Sequence, residues 1–320
     1  AIVISLPLGT VLAWLAYRTD MPGARLFRLL LVTLLFVPPY LQVAGWDAGF
    51  GLQGWFPRWW FPDLAVAPLQ GWRGAAFMQA VIALPWVVLM VGLGLQNIPP
   101  ELEENARLDG GTAQVLWRVS LPLSAPLLLA AALWTLVLTA SEITITDVYQ
   151  IRTFAEEIYT GFALGDELGD AQRRALPGSL LVGSLAIAVL WIGQTFASRS
   201  ATSRQRGAAA FPLGAGRWLA ALMLLLTVLV LLGIPLGNLV YKAGVVVQHS
   251  GAERTRVWEV SKLLQTLTRS PQQFSQEFTW SMVLGQLTAL STLAFAFALA
   301  WHGRRSRLIA AAGWTLAAVG

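Results

Sequence analysis

Few side chains in this sequence are placed to do covalent chemistry. There is no cysteine among its 320 residues, which removes disulfides, thiolate nucleophiles and cysteine-ligated zinc. His249 and His302 stand alone, without an H-E-x-x-H pattern or a carboxylate cluster, so neither a metal site nor a catalytic base is expected. The only lysines, Lys242 and Lys262, do not lie in G-x-x-x-x-G-K-[ST], so the chain carries no phosphate loop. No nucleophile–base constellation stands out in the sequence. Catalytic residues, metal ligands and a bound cofactor are therefore not assigned.

Two polar groupings remain. The first is Pro99-Pro100-Glu101-Leu102-Glu103-Glu104-Asn105-Ala106-Arg107-Leu108-Asp109-Gly110-Gly111. Proline at a helix start loses nothing, because that N–H has no helical partner anyway. Acids in the first turn favour the positive helix end. Glu103 and Arg107 are spaced i, i+4 for a surface pair. Gly110-Gly111 predicts a left-handed stop. Residues 112–120 can form a second short helix, and Pro122 and Pro126 set the entry into the apolar run 119–141. The second grouping is Ser141-Glu142-Ile143-Thr144-Ile145-Thr146-Asp147. An ionisable group at the edge of an apolar run is a candidate pathway residue. Its polar partners would be Thr139 or Thr146. The bland alternative is a carboxylate reaching water at an interface.

The elements that must hold these groups read as membrane spans. Hydrophobic residues make up 56% of the chain, charged residues 12%, and the mean hydropathy is +0.61. A soluble domain carries about 25% charged residues, so a soluble enzyme and a disordered chain are both excluded. Stretches free of Asp, Glu, Lys and Arg run 1–17, 29–46, 74–100, 119–141, 175–198, 218–241, 278–301 and 308–320. A spanning helix needs about 20 apolar residues. Six runs fit or nearly fit, and the first and last look cut by the chain ends. The fold class expected is an all-α polytopic membrane protein with about eight transmembrane helices. The loops 18–28, 199–217 and 302–307 carry ten Arg and one acid. By the positive-inside rule they face the cytoplasm. The net charge of +5 thus reads as membrane orientation, and nucleic acid is not an expected partner.

Outside, residues 46–72 hold Trp46, Trp55, Trp59, Trp60 and Trp72 with Phe56 and Phe61, an aromatic interfacial patch with a short helix. In 242–277, Trp258, Leu263, Leu264 and Leu267 predict an amphipathic outer helix. Leu12-Ala13-Trp14 recurs as Leu299-Ala300-Trp301 at an offset of 287, each ending an apolar run before an Arg loop, which predicts an internal repeat. Gly233 and Gly237 form G-x-x-x-G, a pattern of little weight among 29 glycines.

The first grouping resembles the coupling motif of bacterial ABC-importer permeases: Glu-Ala-Ala, three residues, Gly, nine residues, Ile, one residue, Leu-Pro. Here Glu104-Asn105-Ala106 precedes Gly110, and eight residues separate Gly110 from Val119, before Ser120, Leu121 and Pro122. Asn105 replaces Ala, Val119 replaces Ile, and the spacer is one residue short. Ala16-Tyr17-Arg18-Thr19-Asp20-Met21-Pro22-Gly23 and Pro38-Pro39-Tyr40 are similar to the ferric-iron-type permeases, in which two six-helix halves are fused.

The resemblance implies a type-1 importer transmembrane domain in the bacterial plasma (inner) membrane, multi-pass. It implies residues 1–206 as a first permease half lacking its first helix, with coupling loop 98–122. Residues 207–320 would begin a second half, so the chain is expected to be a fragment whose second coupling motif lies near 380–400. The coupling residues implied are Glu103, Glu104, Asn105, Ala106, Arg107, Asp109, Gly110, Gly111, Val119, Leu121 and Pro122. The implied partners are two ABC ATPase subunits, which hold the ATP, and an extracytoplasmic solute-binding protein, beside the lipid bilayer itself. Ferric iron is the expected solute, with thiamine, phosphonate or polyamine as alternatives. An ATP-independent secondary transporter or channel is the competing class. It would want ionisable groups in mid-span, and every apolar run lacks them there.

Overall fold

The computed structural model describes residues 1–52, 54–60, 68–163, 168–200, 211–250 and 253–303. The apolar run 308–320 and the Arg-bearing stretches 201–210 and 304–307 lie outside the described residues. Two compact units divide the chain, Ala1–Pro235 and Leu236–Gly320.

In the first unit α1 (Ile2–Arg18), α5 (Gly71–Gln96) and α7 (Thr112–Ser141) are the central helices. Glycines bring α1 and α5 close. A Cβ on Gly9 would press into Val87, and one on Gly92 into the Tyr17 ring. Such contacts matter where no hydrophobic effect drives helices together. Between them Leu12, Leu15, Val87, Val88, Val91 and Leu95 are buried, joined by Phe27, Leu31 and Leu34 of α2 (Ala24–Leu35) and Ala220 and Leu224. Outward, Leu26, Leu29 and Phe36 at the end of α2 are exposed, as a lipid-facing helix requires.

The run 29–46 is not one straight span. Pro38 and Pro39 cannot donate helical bonds, and α3 (Pro39–Phe50) leaves α2 at a sharp bend. Beyond it α4 (Trp55–Trp60) is the short helix expected of the aromatic patch. Trp46 is buried and meets Phe77 edge-on at 5.0 Å, and Phe50 lies 5.2 Å from Phe56. Trp59 points out, 72% exposed. Residues 61–67, including Phe61, lie outside the described residues.

After α5 come α6 (Pro100–Asp109), then α7, α8 (Thr144–Val148), α9 (Phe154–Ala163) and α10 (Leu168–Ser200). The helix α11 (Gly214–Gly244) contains the division between the two units. Both α7 and α11 contain a π-turn just ahead of a proline. Leu121 N–H bonds the Leu116 carbonyl before Pro122, and Ile234 N–H bonds the Leu229 carbonyl before Pro235. A proline ring would strike the carbonyl four residues back in a regular helix, and the wider turn makes room.

Among the described residues, five helices are long and apolar enough to cross a membrane, or six if the bent pair counts as one. Of the eight apolar runs, five are such helices among the described residues; residues 2–18 form a shorter apolar helix, 29–46 bends at its prolines, and 308–320 lies outside the described residues. The all-α, multi-pass class stands.

In the second unit, β1 (Val245–Ser250) pairs antiparallel with β2 (Glu253–Trp258), with Val245 opposite Trp258. The sequence pattern alone does not predict this hairpin. The expected amphipathic helix is α12 (Val260–Gln273), with Leu264 and Leu267 exposed. Trp258, counted with that helix, belongs to β2, and its indole lies against Gly244. Then comes α13 (Ser275–Gly303). The G-x-x-x-G glycines pack no second helix among the described residues. A Cβ on Gly233 would meet only Leu229 of its own helix, and one on Gly237 would meet nothing.

Candidate functional site

Three loops that the sequence assigns to one side of the membrane converge at one end of the first unit. α6 opens on Pro100 with Glu101 and Glu103 in its first turn, as the pattern requires. Its two faces differ. Glu104, Asn105, Arg107, Leu108 and Asp109 lie toward its outer side, and Leu108 is 85% exposed. Glu103, by contrast, is wholly buried.

The burial of Glu103 overturns the pairing expected for it. Its carboxylate is not spent on a surface pair with Arg107. It forms an ion pair with Arg18 at the end of α1, which is also buried. It also accepts a hydrogen bond from Ser120 Oγ at 2.6 Å. A carboxylate out of water needs such partners, because an unpaired buried charge costs several kcal/mol. The Arg107 guanidinium lies over the Phe211 ring at 5.6 Å. Phe211 is buried, stands 5.8 Å from Trp14 and donates its N–H to the Arg18 carbonyl at 3.1 Å. Leu213 N–H donates to Asp20 Oδ1 at 2.8 Å. One network thus joins the end of α1, α6, the first turns of α7 and the segment 211–213.

The end of α6 also differs from expectation. Gly110 is extended (φ −161°, ψ 165°), as is Gly111 (φ −73°, ψ 163°), so no left-handed stop is formed. Gly110 is tied to its site by proximity, since a Cβ there would meet the Gln114 side chain at 2.9 Å. Nor is 112–120 a separate short helix. It runs through its π-turn into the span, with Val119, Leu121 and Pro122 at the root of that span. The loop is therefore one free-standing helix, α6, braced on the root of α7.

Glu142 accepts the Thr144 N–H at 2.8 Å and so finishes the start of α8. With Thr139 it borders a cavity of about 210 Å³ that also receives Gln42 and Gln79. Thr146 is buried, donates to the Ile143 carbonyl and lies 3.4 Å from the Thr153 hydroxyl. The structure thus brings Thr139 and Glu142 together and leaves Thr146 in a local turn. Beside Thr146, Tyr149 is buried and its hydroxyl has no hydrogen bond among the described residues. Burial, and then Asp47, hold its phenol above the usual range.

Arg18, Ser120, Phe211, Gln42 and Gln79 were missed as site residues. Arg18 carried a signal, as a charge directly abutting an apolar run. The two glutamines interrupt apolar runs without a charge, so counting charges passes over them. Phe211 had a weaker signal, an aromatic residue close to an Arg-rich stretch.

No protein-family model matches the chain. It is similar to the molybdenum transport system permease protein ModB of Escherichia coli (strain K12), 28% identical over 208 residues, 62% of this chain and 90% of that protein. The sulfate transport system permease protein CysW of Synechocystis sp. is 32% identical over 125 residues, 38% of this chain and 45% of that protein. The trehalose transport system permease protein SugB of Mycobacterium tuberculosis is 25% identical over 188 residues, 58% of this chain and 63% of that protein. These relatives bear out the resemblance to ABC-importer permeases and a place in the plasma membrane as a multi-pass transport subunit. They do not bear out the ferric-iron type.

Proposed function

We propose that this permease passes a solute handed over by an extracytoplasmic binding protein, and that α6 is where separate ATP-hydrolysing subunits dock. The observation that carries the reading is the two-faced α6. Its inner face is fixed by Glu103 to both α1 and α7, and its outer face offers Leu102, Leu108 and acids to a partner. The exposed Trp117 extends that face onto the root of α7.

The same geometry supports a mechanism. ATP binding would close the partner subunits and move α6. A surface loop would absorb such a push. Here the buried Arg18–Glu103 pair cannot open without stranding a charge, so α6, α1 and α7 move as one body. The spans would then swing between inward- and outward-facing states, driven by a site that hydrolyses nothing itself.

The solute we propose is a tetrahedral oxyanion. Two of these three relatives are named for molybdenum and sulfate transport. The expected ferric iron has no support of this kind. Neither reading rests on a binding residue, since delivery by a partner places recognition largely outside this chain.

The test is reconstitution with an ABC ATPase subunit. Leu102→Asp/Leu108→Asp should insert normally yet abolish both ATPase association and uptake. Parent-level association would refute the docking role of α6.

A further inference from the structure

We propose that the cleft at the start of α2 binds a phosphate group. The cleft measures about 570 Å³ and takes Arg18, Arg25 and Arg28 among its lining residues, with no acid among them. The acids nearby are committed elsewhere. Asp20 accepts the Leu213 N–H, and Glu103 is held by Arg18 and Ser120. Arg18 is buried, and its Nε–H has no hydrogen-bond partner among the described residues. An unused buried donor is costly unless something fills its place.

The backbone points the same way. Gly23 is left-handed (φ +82°) and leads into right-handed Ala24, the alternation that turns successive N–H groups toward an anion. The first helical bond of α2 runs from Phe27 N–H to the Gly23 carbonyl, so the amides before it face out of the helix end. No side chain caps them and no acid lies in the first turn. A Cβ on Gly23 would meet nothing within 4 Å, so the approach is open. Arg28 is oriented by the Tyr17 ring at 4.9 Å and by its Nε–H to the Ala24 carbonyl at 3.2 Å, leaving its terminal nitrogens for a ligand. Guanidinium forks and helix-end amides together suit phosphate oxygens.

The phosphate can come from an anionic lipid headgroup or from free phosphate. The lipid source fits the setting. α2, which supplies Arg25 and Arg28 to the cleft, also carries Leu26 and Leu29, both more than 60% exposed. The cleft opens at the Arg-rich end, where anionic headgroups concentrate.

The full chain, purified in detergent, is offered phosphatidylglycerol and phosphatidylcholine in equal amounts, and bound lipid is counted by native mass spectrometry. Separately, its thermal midpoint is read with and without millimolar inorganic phosphate. A preference for phosphatidylglycerol that falls on the order of tenfold in Arg25→Gln/Arg28→Gln assigns the lipid headgroup. Stabilisation by inorganic phosphate alone, lost in the same variant, assigns free phosphate. Either outcome supports the proposal. If the double variant fails to fold, the exposed Arg25→Gln carries the same comparison. Absence of both effects in the parent, or their persistence in the variants, overturns it.

Discussion

Glu103→Gln is the sharpest perturbation of α6. The substitution keeps the side-chain shape but leaves Arg18 buried without a counter-charge. Breaking a buried pair from one side costs about 3–5 kcal/mol. That is a large part of the roughly 5–15 kcal/mol that holds a typical domain together. The loss need not unfold the unit, because α6 is a ten-residue helix held to α1 and α7 largely through this carboxylate. The expected response is local opening of α6. At about 1.4 kcal/mol per factor of ten, its amides should exchange with deuterium roughly 100- to several-thousand-fold faster. Amides in the middle of α5 should be unaffected. Replacing both partners, Glu103→Leu with Arg18→Met, should recover most of the protection, since an apolar pair of similar size strands no charge. The assay is hydrogen exchange by mass spectrometry in detergent, on the parent, both single variants and the double. Less than about a threefold change in Glu103→Gln would refute the bracing role. Equal losses in the single and double variants would do the same.

Other outcomes can be checked alongside. Gly110→Ala should leave stability and uptake near the parent, because its backbone is extended and the flexible Gln114 side chain can move aside. Gly23→Ala should cost about 1 kcal/mol at its left-handed φ, read as a lower thermal midpoint. Tyr149 holds its proton more tightly folded than unfolded, so its contribution is fully present below about pH 10 and is lost as pH rises further. Tyr149→Phe should flatten that alkaline decline in a denaturation series. Glu142→Gln keeps an acceptor for the Thr144 N–H, so the fold should persist. With an oxyanion as solute, uptake should also match the parent, and a selective loss of uptake with ATPase intact would mark the carboxylate as a cation contact.

The spans were legible because lipid demands long uncharged runs, and α5, α7 and α11 track them closely. The amphipathic α12 was legible from its leucine spacing. Where sequence reasoning failed, the cause was tertiary or local chemistry that charge counting does not sense. Pro38-Pro39 breaks a run whose composition is that of a span. The β1–β2 hairpin lies in a polar stretch read for helical spacing, although Val245-Val246-Val247 is a β-branched run ahead of Ser250-Gly251. In the loop 98–122, the helix and its acidic start were visible. The fate of Glu103 was not, because its partners Arg18 and Ser120 lie 85 residues upstream and 17 downstream. A spacing of four made Arg107 the obvious partner, and only the packed structure shows which face of α6 is turned inward. A Gly-Gly pair commonly marks a left-handed helix stop, whereas the chain here continues extended into α7.

The docking proposed for the exposed face of α6 on an ATP-hydrolysing subunit can be read directly. The cysteine-free chain allows one direct measurement of it. Leu108→Cys places a thiol at a highly exposed point of α6, and Ser250→Cys places one on the hairpin expected on the opposite side of the membrane. Both are treated with a short bifunctional thiol cross-linker in membranes that contain the ATPase subunit bearing one surface cysteine near its own docking groove. A cross-linked pair from Leu108→Cys that depends on nucleotide, with none from Ser250→Cys, is the predicted result. No cross-link at Leu108 in membranes that still drive ATP-dependent uptake would contradict the account.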